Sequence, residues 1–305
     1  MIAHHGDAER REKKGQQNID RNVAPQPDKP RILKLGMSIE GTALSYTPEE
    51  GAATRTQPSA ERESRARQKL ALAIPTLREA ANLPGLLNHI RSVLDPVGID
   101  YEILVVDDDS RDGTEEIVTA IRQEDPRVRL LVRKGERGLS GAVLYGWRHT
   151  DAAILGVMDA DLQHPPELLP ALVEAILAGN DLAIGSRYIA GGQVGAWNPI
   201  RRWLSTVAVW ATWPIQRAGI RAHDPMTGFF LLRRECIDGI AFQPSGFKLL
   251  LEILVRGHIR SVKEVPLAFG SRAQGASKAN FKVGWDYAKL LARLYADRFG
   301  FGHQA

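Results

Sequence analysis

Short apolar runs alternate with amphipathic segments along residues 69–160. The runs are LALAIP, YEILVVD, VRLLVR and AAILGVMD, and helix-like segments lie between them at 79–94, 113–123 and GLSGAVLYGWRH. Strands rich in Val, Ile and Leu that alternate with amphipathic helices are typical of parallel strands covered on both faces. The pattern therefore predicts an α/β fold with a doubly wound, mostly parallel sheet.

The residues before this pattern have a different composition. Residues 1–67 are dense in Gln, Pro, Arg, Glu and Ser and contain only short apolar islands. They cannot bury enough surface to offset the entropy of ordering. We predict a disordered tail at 1–67, whose regulatory or partner-binding role stays open, a single large domain at 68–280 and a C-terminal amphipathic helix at 281–305.

Composition narrows the class of protein. The 305 residues are 44% hydrophobic and 25% charged, which is typical of a soluble globular protein. The one cysteine, Cys236, excludes an internal disulfide and a cysteine zinc site, and we interpret it as a packing residue in a reducing compartment. A formal net charge of +4 is too small to indicate a nucleic-acid partner by bulk charge.

No segment is expected to cross a membrane or to direct export. The longest uncharged stretch of interest, 203–216, has 14 residues, whereas a spanning helix needs about 20. The N-terminal sequence MIAHHGDAERREKK carries charge where a secretory signal needs an apolar core. We therefore expect a cytoplasmic protein.

Carboxylates follow two of the predicted strands. Ligands of such sheets bind beyond the carboxyl ends of the strands, where this chain has PTLRE, then DDDS, then DADLQH. Asp112 is expected to cap the next helix. Asp107 and Asp108 would repel each other unless a donor or cation faces them, so we interpret them as contacts to the hydroxyl or amide hydrogens of a ribose or base.

Asp159 and Asp161 form the more specific motif. They flank one small residue at the end of a buried strand, so both carboxylates can face one divalent cation beside a diphosphate. Such oxygen ligands suit Mg2+ or Mn2+, and Gln163 can add an amide oxygen. His164 is expected to orient a neighbour rather than to bind the metal.

Segments spread over most of the chain together carry a family resemblance. They are IPTLREAANL, VVDDDSRDGT, DADLQHPPE, IGSRY, DPMTGFFLLRR, GFKLLLEIL and RAQGASK, within residues 70–285. In this order and spacing they resemble the dolichol- and polyprenol-phosphate mannosyltransferases, which are inverting glycosyltransferases of the Rossmann-like GT-A fold. The resemblance implies transfer of mannose from GDP-mannose to a polyprenyl or dolichyl phosphate.

The resemblance also implies which residues bind the donor. Those that would bind the guanine nucleotide are Pro75, Glu79, Val106 and Asp108. Leu77-Arg78 stands where the family usually has Tyr-Asn, which removes a possible ring contact to the base. Those that would hold Mg2+ or Mn2+ on the diphosphate are Asp159, Asp161 and Gln163. Arg272 and Lys278 would close over the donor phosphates.

The acceptor phosphate is implied to contact Arg187, Arg201 and Ser205. A guanidinium fork suits a phosphate, and Arg201 and Ser205 would share one helix face. The alternative is that Arg201 only extends from an amphipathic helix towards solvent. Asp161 and the two arginines would be the catalytic groups. The loop at Asp224 is expected either beside the substrate or as a structural turn.

The chain offers no nucleophile elbow or serine triad, and the implied acceptor explains this. A phosphate monoester is already largely ionised near neutrality, so its attack on the sugar needs no general base. Catalysis would rest on positioning and charge, and a single displacement would invert the anomeric centre.

Tryptophans cluster in residues 197–219, which we predict to be an interfacial helix. Trp197, Trp203, Trp210 and Trp213 lie there with three arginines, a composition typical of the membrane interface. The segment 281–299 has a similar mixture, with a core-facing amphipathic helix as the alternative. We expect peripheral docking on the cytosolic face of a membrane, with a membrane-anchoring subunit as a further possible partner.

Three other interpretations stay open. UDP-glucose is the alternative donor, because it would use the same metal and phosphate contacts. A sugar nucleotidyltransferase would need a Gly-rich loop directly after the first strand, where this chain has PTLREAANLPG. The third is a non-catalytic membrane-binding subunit that retains the fold.

Overall fold

The computed structural model of the chain describes residues 68–193, 199–243, 248–268 and 281–300. The predicted tail at 1–67 lies outside the described residues, as do Trp197, Arg272 and Lys278.

Strands and helices alternate through most of the described residues. The strands are β1 (Leu70–Thr76), β2 (Tyr101–Asp107), β3 (Val128–Val132), β4 (Ile154–Val157), β5 (Leu182–Ser186), β6 (Phe230–Arg233) and β7 (Val262–Pro266). The α-helices are α1 (Leu83–Leu94), α2 (Thr114–Glu124), α3 (Leu139–Arg148), α4 (Leu169–Leu177), α5 (Pro199–Trp210), α6 (Leu249–Arg256) and α7 (Phe281–Phe299). Short 3-10 helices occur at Asp95–Val97, Pro166–Leu168 and Arg234–Cys236.

The strands form one sheet in the order β3-β2-β1-β4-β6-β5-β7. β6 runs antiparallel to β4 and β5, and the other neighbouring pairs are parallel. The predicted mostly parallel sheet is confirmed. Thr76 lies opposite Asp107, so the carboxyl ends of β1 and β2 are level and their following loops start side by side.

Alternate residues of the strands face two separate layers of helices. Leu70, Leu72 and Ile74 of β1 pack in a cluster with α1 and α4, whereas Ala71 and Ala73 pack in a cluster with α3 and α6. Both clusters are fully buried, which explains why the strand sequences are apolar at consecutive positions rather than at alternate ones.

Two predicted helix boundaries are wrong. α1 begins at Leu83 rather than near residue 79, because residues 79–82 form a turn closed by the bond from Asn82 N to Glu79 O (2.9 Å). Pro84 then occupies the first helical turn, where its missing N–H has no intrahelical partner to lose. α5 ends at Trp210, so the predicted interfacial helix at 197–219 is too long, and turns follow it up to Ile215.

The C-terminal helix is partly a core helix. Leu290 and Leu294 of α7 are buried against Ile215, Leu251 and Val255. This packing favours the core-facing alternative for the segment, while Trp285 and Phe299 stay exposed on the same helix. The predicted helix is described as far as Phe299, Gly300 forms a turn, and residues 301–305 lie outside the described residues.

The single cysteine packs as expected from the sequence. Cys236 is buried in the core cluster that includes α3 and α6. Among the described helices, none combines the length and the apolar character needed to cross a bilayer.

Gly156 and Gly85 provide a matched test of this packing. A Cβ at Gly156, in the middle of β4, would lie 2.5 Å from Leu231 Cδ2 and 3.0 Å from Leu72 Cδ1. We expect Gly156→Ala to lower the free energy of unfolding by about 1–3 kcal/mol through overpacking. Gly85→Ala, on the exposed side of α1 with nothing within 4 Å, should raise it by about 0.5–1 kcal/mol. Urea denaturation measures the free energy of unfolding of both variants. Equal changes in the two variants would contradict the packing described.

Candidate active site

The loops after β1, β2 and β4 contain strained backbone. In the described part of the chain, every non-glycine residue with positive φ lies there: Arg78 (65°), Asp109 (56°), Arg111 (53°) and Leu162 (63°). Such conformations are costly for residues with a Cβ and are concentrated at functional sites. This edge of the sheet is the candidate active site.

Asp107 ties the ends of β1 and β2 together. Its carboxylate accepts hydrogen bonds from Thr76 Oγ1 (3.1 Å) and from the Ser110 backbone N–H (2.8 Å), and the Ser110 hydroxyl also contacts it. Ser110 Oγ in turn accepts the N–H of Arg78 at 2.9 Å. The two loops are therefore held to each other by side chains of the strand ends.

Asp108 is buried beside Arg133. Arg133 donates to Asp108 Oδ1 from Nε (2.8 Å) and approaches it with Nη2 (2.6 Å), while the Gly138 N–H donates to Oδ2 (2.9 Å). The inference that Asp107 and Asp108 need a ligand to satisfy them is thus wrong, because the chain supplies the donors itself. A carboxylate with two oxygens can still accept a further hydrogen bond from a ligand.

Asp112 lies one residue before the N-cap of α2, which is Gly113, and still accepts hydrogen bonds from the first helical residue. Its Oδ1 accepts the N–H of Thr114, the first residue of α2, at 3.2 Å and the Thr114 hydroxyl at 2.7 Å. Its Oδ2 accepts the N–H of Ala80 at 3.1 Å, so it also fixes the loop after β1.

The structure brings the residues expected to bind the nucleotide to one place. Pro75 of β1 lies opposite Val106 of β2, and Asp108 follows directly after β2. Glu79, four residues after Pro75, accepts a hydrogen bond from Asn82 Nδ2 at 2.7 Å. Together they surround the shared edge of the first two strands.

Asp159 and Asp161 follow β4, the next strand of the sheet after β1. The Asp161 carboxylate accepts the backbone N–H of Gln163 at 3.1 Å, which fixes the turn that carries all three residues. A Cβ at Gly228 would lie 3.2 Å from both carboxylate oxygens of Asp159, so only glycine leaves that space open.

His164 orients Asp159, as expected. Its Nδ1 accepts the backbone N–H of Asp159 at 3.1 Å, and its ring stacks on Phe229. Burial lowers the pKa of His164 to about 4, so the ring is neutral at physiological pH and the proton lies on Nε2. The 3.7 Å approach of Nδ1 to the Asp159 carboxylate is therefore not an ion pair.

Arg187 follows β5 and forms a buried pair with Asp224. Its Nε and Nη2 donate to the two carboxylate oxygens at 2.7 and 2.9 Å, and its backbone N–H donates to Oδ2 at 3.0 Å. Asp224 is 0% exposed. The pair fixes the direction of the guanidinium. Asp224 therefore has a structural role, which is to hold Arg187.

Lys248, which precedes α6, lies close to this pair. Its Nζ donates to the backbone carbonyl of Met226 at 3.4 Å. Burial and the nearby charge of Arg187 lower the pKa of Lys248, whereas Asp224 and Asp159 oppose that shift. The Lys248 amine therefore lies close enough to Asp159, after β4, and to Arg187, after β5, for both charges to act on it.

The 224–228 loop joins the two halves of the site. It holds Arg187 through Asp224, contacts Lys248 through Met226 and places Gly228 against Asp159. Four residues of chain limit the distance between its ends to about 14 Å. The carboxylates after β4 and the guanidinium after β5 therefore lie on the same side of the molecule.

The structure describes the expected acceptor-phosphate residues only in part. The hydroxyls of Tyr188 and Ser205 are 2.8 Å apart, so α5 lies next to the residue that follows Arg187. Arg201 lies on α5, one turn before Ser205, but the structure describes only its backbone and not its side chain. Arg272 and Lys278 lie outside the described residues altogether.

The donor set after β4 fits a hard divalent cation. Asp159, Asp161 and Gln163 offer carboxylate and amide oxygens, the ligands preferred by Mg2+ and Mn2+. The described residues contain no group of three or more His, Cys, Asp or Glu able to hold a metal by themselves. A cation here would complete its shell with water and substrate phosphates, as Mg2+ commonly does.

α5 presents an apolar face to solvent. Trp203, Val207 and Trp210, spaced at helical intervals, are 64%, 41% and 61% exposed, and Trp213 is exposed after the helix ends. Tyr287 and Tyr295 of α7 donate their hydroxyls to the carbonyls of Ala208 and Ala211 on the other side of this segment. The tryptophan face is therefore not covered by the helix that packs behind it.

Sequence reasoning missed two residues of the site and left a third undecided. The partners of Arg133 and Lys248 lie 25 and 22 positions away, so neither contact can be read from the local sequence, although Lys248 belongs to the segment GFKLLLEIL named above. The sequence alone does not decide between substrate contact and turn for Asp224. A basic residue directly after an apolar strand, as in VRLLVR, is the one available hint for Arg133.

Comparisons with known proteins agree with this geometry. The family model described as glycosyl transferase family 2 matches residues 71–250. The dolichol-phosphate mannosyltransferase of Pyrococcus furiosus is 44% identical over 227 residues, which cover 74% of this chain and 63% of that protein. The chain thus spans less than two thirds of that relative.

Two further relatives are covered more fully. The dolichol-phosphate mannosyltransferase of Saccharomyces cerevisiae is 35% identical over 237 residues, 74% of this chain and 87% of that protein. The polyprenol monophosphomannose synthase of Mycolicibacterium smegmatis is 36% identical over 220 residues, 69% of this chain and 81% of that protein.

Solved structures share the fold at low sequence identity. A glucosyl-3-phosphoglycerate synthase from Mycobacterium tuberculosis, in complex with Mn2+, UDP-glucose and phosphoglyceric acid, superposes with a TM-score of 0.58. It is 18% identical, and the match covers 79% of this chain and 83% of that one. With the family match, this likeness confirms the expected GT-A fold.

Replacing Asp224 tests the buried pair. Asp224→Ala leaves the Arg187 guanidinium buried without its partner, so we expect the free energy of unfolding to fall by about 3–5 kcal/mol. Arg111→Ala removes a cation whose ion pair with Asp109 is solvent-exposed, and should have little effect. Urea denaturation of both variants gives the comparison, and an Asp224→Ala protein as stable as the parent would contradict the described contact.

Proposed function

Because the chain belongs to glycosyl transferase family 2 and, within it, to the family of the dolichol-phosphate mannosyltransferases, we propose that it transfers mannose from a nucleotide sugar to a polyprenyl phosphate. One observation carries the proposal. The 224–228 loop places Asp159 and Arg187, the groups proposed for the donor diphosphate and the acceptor phosphate, at one site.

The proposed donor is GDP-mannose. Its nucleoside would lie at the joined ends of β1 and β2, against Pro75, Glu79, Val106 and Asp108. Arg133 and Gly138 hold the Asp108 carboxylate in a fixed orientation, so a donor hydrogen of the ligand would meet a pre-positioned acceptor. Arg272 and Lys278 stay proposed contacts to the donor phosphates.

Asp159, Asp161 and Gln163 are the residues that would hold Mg2+ or Mn2+. When bound, the cation would offset the negative charge that develops on the departing nucleoside diphosphate. His164 keeps Asp159 in place through the backbone hydrogen bond and, being neutral, adds no competing positive charge. The Lys248 amine would lie near the same diphosphate as a hydrogen-bond donor.

The acceptor phosphate would lie on the Arg187 side of the site. Asp224 holds the guanidinium through Nε and Nη2, and the phosphate would contact the group in this fixed orientation. Arg201 and Ser205 on α5 would complete its contacts. An oxygen of the phosphate attacks the anomeric carbon, the bond from that carbon to the nucleoside diphosphate breaks, and the configuration inverts.

This reaction needs no general base among the protein's residues. The acceptor phosphate is largely dianionic near pH 7, so no proton has to leave before the attack. The chain's contribution is to align the two phosphates and to balance their charges.

The proposed location is the cytosolic face of a membrane, where a lipid acceptor is available. The exposed tryptophan face of α5 supports peripheral docking, since Trp side chains favour the bilayer interface. α5 also carries Ser205, so docking through this helix would place the acceptor residues near the lipid headgroups. A membrane-anchoring subunit remains a further proposed partner.

Incubation with labelled donors tests the activity. We expect label from GDP-mannose, and not from UDP-glucose, to enter polyprenyl phosphate in the presence of Mg2+ or Mn2+. Asp161→Ala should lower the rate roughly a hundredfold or more, because transition-state charge loses its stabilisation. Asp151→Ala, an exposed carboxylate at the opposite end of β4, is the matched control. Label from UDP-glucose alone would overturn the donor, and full activity of Asp161→Ala would overturn the mechanism.

A separate variant tests the membrane contact. Trp203→Gln combined with Trp210→Gln removes the exposed rings of α5, so we expect severalfold weaker binding to phosphatidylcholine vesicles in a flotation assay. The matching Trp→Phe pair should retain most of the binding, because it keeps the apolar rings. Unchanged binding of the Gln pair would exclude α5 as the docking surface.

A further inference from the structure

A cavity of about 370 Å³ lies at the C-terminal end of α6, within the roughly 300–1,000 Å³ range of small-molecule sites. The residues that line it include Arg217, Ala241, Val255, Arg256, Asp297 and Arg298. Lys248, beside the candidate active site, precedes the other end of the same helix. Eight residues of helix separate Lys248 from Arg256 by about 12 Å, so the cavity is distinct from that site.

The cavity carries more positive than negative charge. Arg256 is held by the protein, since it donates to Asp297 Oδ2 at 3.0 Å and to the Ala241 carbonyl at 3.2 Å and pairs with Glu252 at 3.1 Å. Asp297, the one carboxylate among the described residues that line the cavity, is thus already engaged by one of the three arginines.

The other two arginines are available to a ligand. The guanidinium groups of Arg217 and Arg298 form no hydrogen bond or ion pair with any other residue that the structure describes. They come from different segments, the turn region after α5 and the end of α7, and meet at one cavity. Guanidinium forks suit the oxygens of a phosphate group, and two of the arginines that line this cavity are available to one.

The neighbouring side chains indicate where that phosphate comes from. Trp213, four residues before Arg217, and Phe299, directly after Arg298, are 43% and 52% exposed. Exposed aromatic rings next to arginines are typical of the membrane interface, where lipid phosphates lie. A small soluble phosphate such as glycerol phosphate has no apolar group that would contact these rings.

We propose that this cavity binds the phosphate of an anionic membrane lipid that is not the sugar acceptor. The inference rests on the membrane docking proposed above and not on the glycosyl transfer itself. The headgroup would bridge the segment after α5 and the end of α7, and would make docking depend on lipid composition.

Vesicle flotation with the full chain tests the proposal. The vesicles contain phosphatidylcholine alone or with phosphatidylglycerol, and the variant carries Arg217→Gln and Arg298→Gln. We expect this double variant to lower binding to the phosphatidylglycerol vesicles roughly tenfold or more, because two cations near the surface are lost. Binding to pure phosphatidylcholine should change less than twofold.

Two further double variants separate a phosphate site from diffuse charge attraction. Arg217→Lys with Arg298→Lys keeps the charge but loses the planar forks, so binding should fall severalfold if the cavity binds a phosphate. Arg122→Gln with Arg148→Gln removes two exposed cations on α2 and α3 and should leave binding unchanged. Parent-like binding of the variant with Arg217→Gln and Arg298→Gln, or an equal loss in the α2 and α3 variant, would overturn the proposal.

Soluble compounds distinguish the source of the phosphate. Glycerol phosphate should stabilise the parent protein weakly at most in a thermal shift assay. If glycerol phosphate binds through Arg217 and Arg298 while the vesicles show no such dependence, the lipid assignment is wrong.

Mannosyl transfer to a detergent-solubilised acceptor should be the same in the variant with both arginines replaced by Gln and in the parent. Failure of the enzymatic proposal and failure of this one therefore give different results.

Discussion

The buried contact between Asp224 and Arg187 is the constraint on which the rest of the site depends. A carboxylate with no exposed surface is stable here because two guanidinium nitrogens and a backbone N–H donate to it. Glu264 holds the same loop from β7, where it accepts the backbone N–H of Asp224 at 3.2 Å. Held in this way, the loop can carry Gly228 up to Asp159 and join the donor and acceptor halves.

The site divides its tasks by position on the sheet. The strand ends of β1 and β2 are tied by Asp107 and Asp112 into a rigid edge for the proposed nucleoside. β4 supplies oxygen ligands for the proposed cation, and β5 with α5 supplies the contacts for the proposed acceptor. Because the proposed nucleophile is an ionised phosphate and the proposed leaving group is a nucleoside diphosphate, catalysis at the anomeric carbon can be achieved by charge and alignment alone, which agrees with the absence of a serine triad from the sequence.

Much of this arrangement could be predicted from the sequence, because its signals are local. The apolar runs indicate the parallel strands, and the Asp159 and Asp161 pair marks a strand end. The antiparallel direction of β6 has no such signal, since the pattern FLLR reads the same either way. Arg133 corrects the interpretation of Asp108, because a partner 25 residues away satisfies that carboxylate. The role of a buried carboxylate such as Asp108 depends on contacts between segments that are distant in the sequence. The periodic pattern of apolar residues gives no information about such contacts.

The central claim is that the cation and the acceptor phosphate occupy one site, and the 31P resonance of a bound short-chain polyprenyl phosphate tests it most directly. With a nonhydrolysable nucleotide sugar present, Mn2+ should strongly broaden this resonance relative to Mg2+, because the paramagnetic ion would be held by Asp159 and Asp161 close to the phosphate. The broadening should disappear when Asp161 is replaced. A sharp resonance from bound lipid with Mn2+ in place would contradict the account, since the acceptor phosphate would then lie too far from the cation-bound donor to reach the anomeric carbon of its sugar.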